Sequence, residues 1–105
     1  MNETTLSDTN FEKLIREAES AILLFHKKVC PHCLNMKKVI EKFIAKEDES
    51  LPVLYIDSEE SPGAMESMSV ERVPTLCIIK NGAVAFRHTG LMNPRQLAEK
   101  YKNAK

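Results

Sequence analysis

Two cysteines separated by two residues, Cys30-Pro31-His32-Cys33, are the side chains of this sequence best suited to chemistry. They follow an apolar run at residues 21–25 and precede a stretch of helical periodicity. A C-x-x-C at such a junction reads as a redox-active dithiol, because the two sulfurs lie within one helical turn and can close and reopen a disulfide. Placement also explains reactivity. Unsatisfied N–H groups at a helix N-terminus and the positive end of the macrodipole favour thiolate over thiol. Pro31 suits the first helical position, where its missing N–H costs no intrahelical bond. His32, when protonated, adds a cation beside the Cys30 thiolate. A zinc site would need four ligands, and no second C-x-x-C or H-x-x-x-H is present. His26, Cys77 and His88 have no ligand spacing, so no metal is expected.

The elements that must position this pair follow from periodicity. Thr9 and Glu12 read as a capping box opening a helix with Phe11, Leu14, Ile15 and Ala18 on its apolar face. The run at 21–25 is apolar throughout, which predicts a strand buried on both faces. After the dithiol, Met36, Val39, Ile40, Phe43 and Ile44 form one stripe opposite Lys37, Lys38, Glu41 and Lys42, predicting a helix to about residue 46. A second buried strand is predicted at 53–56, ended by Asp57. Two apolar strands joined by a helix make a right-handed βαβ unit. Ser61-Pro62 starts a short helix. Strands at 75–79 and 83–88 are joined at Asn81-Gly82, a strong hairpin signal. Val84, Phe86 and His88 alternate with Ala83, Ala85 and Arg87, as in an outer strand. Asn93-Pro94 caps a last helix carrying Leu97, Ala98 and Tyr101. The order predicts an α/β fold, a central mixed β-sheet flanked by helices on both faces.

Composition bounds the function. A chain of 105 residues is expected to form a single domain over residues 1–105. Lys+Arg and Asp+Glu balance at 15 each, so no global field recruits nucleic acid or an anionic membrane. Three cysteines make no disulfide framework; they suit a catalytic pair plus one bystander. Residues 1–8 show neither a basic nor an apolar leader segment, and no apolar run reaches the length of a membrane span. A cytoplasmic location, where disulfides are mostly transient and catalytic, is the expectation.

In these features the sequence resembles the thioredoxin family over nearly its whole length. The element order matches, and four landmarks fall in register: Cys30 and Cys33, Val73-Pro74-Thr75, Asn81-Gly82, and Gly90 after the last strand. The resemblance implies a thioredoxin fold, with Pro74 cis beside the dithiol. It further implies that the backbone of Val73 and Thr75 pairs with an extended substrate segment. Gly90 would lie on the same docking surface, where a missing side chain lets a partner approach. The implied activity is protein thiol–disulfide exchange, with Cys30 as nucleophile and Cys33 as resolving thiol. The implied cofactor set is none beyond the redox-active Cys30–Cys33 disulfide. The implied partners are disulfide-bearing client proteins and a flavin-dependent, NADPH-drawing thioredoxin reductase. A monomer is expected.

The sequence also departs from the family pattern. Where thioredoxins usually have Trp-Cys-Gly-Pro-Cys-Lys, this chain has Val29-Cys30-Pro31-His32-Cys33-Leu34, and it contains no tryptophan. His26 stands at the earlier tryptophan position. The family's buried Asp falls at Leu24 and its lysine partner near Val53, which removes a group assigned to proton transfer with the second cysteine. That departure keeps a second reading open, a redox-sensing or adaptor module serving one dedicated client. Elsewhere plain readings suffice. Cys77 is a small hydrophobe inside an apolar strand, and Met65 and Met68 fill core. His26 is a strand-end group in part solvated, and His88 belongs to the surface. The acidic residues 47–49 form a solvated loop.

Overall fold

The computed structural model describes residues 2–104 and places five strands and four helices around one sheet. In chain order these are β1 (Asn2–Thr5), α1 (Phe11–Glu17), β2 (Ser20–His26), α2 (Pro31–Glu47), β3 (Pro52–Asp57), α3 (Pro62–Ser67), β4 (Thr75–Lys80), β5 (Ala83–Thr89) and α4 (Pro94–Asn103). The strand order is β1-β3-β2-β4-β5. β1, β3 and β2 run parallel, while β4 and β5 are antiparallel to their neighbours.

β2 is central, and its unbroken apolar run is buried on both faces. Ile22 and Leu24 point into the core under α2 and α4, together with Met36, Ile40, Phe43 and Leu97. Ala21, Leu23 and Phe25 point into the core under α1 and α3, together with Phe11, Ile15 and Ala64. Burying each of the larger side chains contributes about 1.5–3 kcal/mol, so the two half-cores hold β2 from both sides.

Three expectations need correction. The first helix starts from Asn10, not Thr9, and no side chain caps it. Asn10 instead accepts the Ser7 N–H on its side-chain oxygen at 2.7 Å, and Thr9 meets the Ser7 hydroxyl at 2.9 Å. Those polar atoms close a turn before the helix and are not available to its first amides. The sequence reading predicts no strand at β1. Its four residues are exposed and pair through the backbone with Pro52–Tyr55 partners of β3, so hydrophobic patterning carries no trace of it. Along β5, a bulge between the Ile78 and Ile79 pairings breaks the alternation. Phe86 opposes Ile78 and packs on the α2 side, whereas Val84 opposes Ile79 and falls on the other face.

The hairpin reads as anticipated, with Asn81 (φ 53°) and Gly82 (φ 77°) both left-handed. Their amides donate to Glu19 and Ala18 carbonyls, each at 2.8 Å, tying the turn to the loop before β2. Asn93 and Gln96 form a reciprocal capping box at the start of α4. At α3, Ser61 is the N-cap but its side chain makes no capping bond; Asp8 receives the Gly63 and Ala64 amides at 3.1 and 2.7 Å.

Candidate active site

Cys30 is the N-cap residue of α2, with extended backbone (φ −152°, ψ 100°), and Pro31 occupies the first turn. The Cys33 N–H donates to Cys30 Sγ at 3.2 Å, so the sulfur takes the place of a capping oxygen. Cys30 and Cys33 are joined in a disulfide, their Cα atoms 5.2 Å apart. Cys33 is 1% exposed and Cys30 half-buried. Pro31 and His32 between them face solvent.

Sheet register brings the other sequence landmarks to the same end. Phe25 near the end of β2 opposes Thr75 at the start of β4, and Thr75 opposes Thr89 at the end of β5. The dithiol loop, Val73-Pro74-Thr75 and Gly90 therefore share one end of the sheet. The Val73–Pro74 peptide is cis. Gly90 donates its N–H to the Pro74 carbonyl at 2.9 Å, and its φ is +99°. The Thr75 hydroxyl donates to the Arg72 carbonyl at 2.7 Å and lies 3.1 Å from that of Thr89. Arg87 braces the preceding loop through the carbonyls of Met68 and Ser69, at 2.7 and 2.5 Å.

His26 is buried, contrary to the solvated reading, at 9% exposure. Its ring stands edge-on to Tyr55, centroids 5.5 Å apart, and Nδ1 is buried without a hydrogen-bond partner. Burial, helped by the Lys37 ammonium, lowers the His26 pKa below its ordinary 6.5 against the opposing pull of Asp57 and Glu60. Burial would raise Asp57, but the amides of Glu59 and Glu60 donate to it at 2.8 and 3.2 Å and hold it below the usual carboxylate range. Tyr55 is pushed well above the usual phenol range by burial and by the nearby Glu3 carboxylate, which accepts its hydroxyl at 3.3 Å. Leu24, opposite Tyr55 in register, is fully buried hydrocarbon.

Four large apolar side chains are exposed among the described residues: Val29 (88%), Leu34 (57%), Leu91 (47%) and Val84 (43%). The first two flank the dithiol directly in sequence. His88 is half-buried, its Nε2 2.9 Å from the Leu91 carbonyl. Cys77 lies on the α1–α3 side of the sheet, away from α2, and burial pushes its pKa up to about 11. Among the described residues, no three His, Cys, Asp or Glu side chains are grouped to hold a metal, and no helix is long and apolar enough to cross a membrane.

The family model for thioredoxin matches residues 2–103. The chain belongs to the thioredoxin family. The solution structure of desulfothioredoxin from Desulfovibrio vulgaris Hildenborough in its reduced form superposes with a TM-score of 0.82 at 39% identity, covering 97% of this chain and 98% of that one. The thioredoxin of Chlorobaculum thiosulfatiphilum is 25% identical over 95 residues, 90% of this chain and 88% of its own. Thioredoxin Y, chloroplastic, from Oryza sativa subsp. japonica is 26% identical over 97 residues, 91% of this chain, which spans 58% of that relative. The five-stranded mixed sheet with four helices is the thioredoxin fold. Thioredoxins are thiol–disulfide oxidoreductases acting on disulfide-bearing clients; they need no cofactor beyond their own disulfide, and thioredoxin reductase is a usual partner.

Proposed function

We propose that this chain is a thioredoxin-type protein disulfide reductase working through Cys30 and Cys33. The observation behind this reading is the sulfur pair itself: one half-exposed at a helix N-cap, the other buried one turn inside and already bonded to it. In the reduced state the Cys30 thiolate attacks one sulfur of a client disulfide. A mixed disulfide forms, and the client's other sulfur leaves as thiolate and takes a proton. Cys33, once deprotonated, attacks Cys30 Sγ, restores the internal disulfide and releases the second client thiol. Two electrons pass from the dithiol to the client.

The N–H that caps Cys30 Sγ supports the thiolate in the first step. Val73, Pro74, Thr75 and Gly90, gathered at the same end of the sheet, form the docking surface for the client backbone. The dithiol is returned to its reduced form by a flavin-dependent thioredoxin reductase drawing on NADPH, and the protein works as a monomer in a reducing compartment such as the cytoplasm. The test is reduction of insulin disulfides with NADPH and such a reductase. Continuous turnover supports a general reductase. Oxidation of the dithiol without turnover moves the assignment to a redox sensor or adaptor with one dedicated client.

A further inference from the structure

The groove beside the dithiol is walled by Lys27, Lys28 and Val29 on the β2–α2 loop and by Leu34 and Lys37 on α2, with Cys30 between. No carboxylate lines it. Lys28 is committed to Glu60 at 2.9 Å, the one ion pair among the described residues. Lys27 and Lys37 make no such ion pair among the described residues, and Lys27 also borders a second groove that carries Glu59 and Glu71. Lys37 lies 5.2 Å from the centroid of the Tyr55 ring, a contact that steers its ammonium without neutralising it. The positive end of α2 adds to the same side. Exposed Val29 and Leu34 supply apolar contact next to these charges.

We infer that this groove selects clients whose disulfide cysteine is flanked by an acidic residue, an inference resting on the exchange function proposed above. The chain as a whole is neutral, with 15 basic and 15 acidic side chains, so its attraction for an acid is local. At physiological ionic strength charges are screened beyond about 8 Å, which confines selection to residues adjoining the client cysteine. Two unpaired ammonium groups beside apolar side chains match one carboxylate on an otherwise ordinary peptide. They match a nucleic acid poorly, since that would ask for a longer basic track.

The test uses disulfide-bonded peptides identical except for Glu, Gln or Lys beside the cysteine, reduced in single turnovers by the dithiothreitol-prereduced protein. Rates should fall in the order Glu, Gln, Lys, with about a tenfold span at low salt that closes as salt rises. Lys27→Glu with Lys37→Glu should reverse the order. Lys13→Glu with Lys102→Glu, an equal change of charge on α1 and α4, should preserve it. Equal rates for the three peptides, with exchange otherwise proceeding, overturn the groove and leave the reductase assignment standing. Exchange with none of them overturns both. The wild-type series decides the matter even if the charge-reversed variant does not fold.

Discussion

The Gly90 N–H donates to the Pro74 carbonyl at 2.9 Å, so the β5–α4 and α3–β4 connections are one hydrogen-bonded unit. Thr75 and Thr89, paired across the strands with hydroxyls 3.1 Å apart, lie directly beneath it. A Cβ built at Gly90 meets nothing within 4 Å, but φ there is +99°. Gly90→Ala should therefore cost about 1–2 kcal/mol through backbone conformation alone. It should also slow client reduction more than it slows reduction of a small-molecule disulfide. Urea midpoints and paired kinetics check both; an unchanged midpoint would show that the loop accommodates the change without strain.

The cysteines should divide the work by exposure. Cys30→Ser should abolish exchange yet fold normally, since serine is itself a good N-cap and should stay within about 1 kcal/mol of the reduced wild type. Cys33→Ser should accumulate client mixed disulfides, because nothing resolves them. Non-reducing electrophoresis reads the outcome, and trapping by the Cys30 variant would reverse the assignment.

His26 predicts a pH dependence of stability. Its folded pKa lies below 6.5, so the unfolded chain takes up a proton that the folded chain resists. This contribution is present above pH 6.5 and is lost as pH falls toward the folded value, at about 1.4 kcal/mol for each tenfold weakening of proton affinity. The facing groups are Lys37 on α2, Tyr55 and Asp57 on β3, and Glu60 beyond it. His26→Gln should lose less stability than wild type between pH 7.5 and 5.5 in urea titrations. Parallel losses in the two proteins would remove His26 as the cause.

Pro31 and His32 should set the poise of the couple. Both face solvent between the sulfurs, and Leu24 puts hydrocarbon where the family usually buries a carboxylate. These features and the helix N-terminus favour the thiolate form. Pro31→Gly combined with His32→Pro should yield a more reducing couple, measured by equilibrium with glutathione, and slower alkylation of Cys30 at neutral pH. A potential that stays put or moves toward oxidising would defeat the electrostatic account.

Much of this site could be read from residue order because its parts are local. Cys30, Pro31 and Cys33 form a helix start that needs only neighbouring residues, and Asn81-Gly82 needs only its own backbone. What escaped reading depends on distant partners. β1 is polar and joins the sheet through backbone pairing with β3. His26 ends a strand as a solvated histidine would, yet Tyr55 covers its ring edge-on. Lys37 reads as part of a polar helix face and proves half-buried beside the dithiol. The cap of α3 comes from Asp8, far away in the chain.

Cys77 lies within β4 with its side chain on the α1–α3 face of the sheet, 1% exposed, and its thiol pKa is pushed up to about 11. With Cys30 and Cys33 oxidised, it is the chain's single remaining thiol. Any labelling of the oxidised protein by a thiol reagent must therefore record the moments when the sheet comes apart. The rate should rise with urea in step with global unfolding. Fast labelling in native buffer would instead expose a breathing motion of β4. The protein thus contains its own stopwatch for opening, read by counting one sulfur.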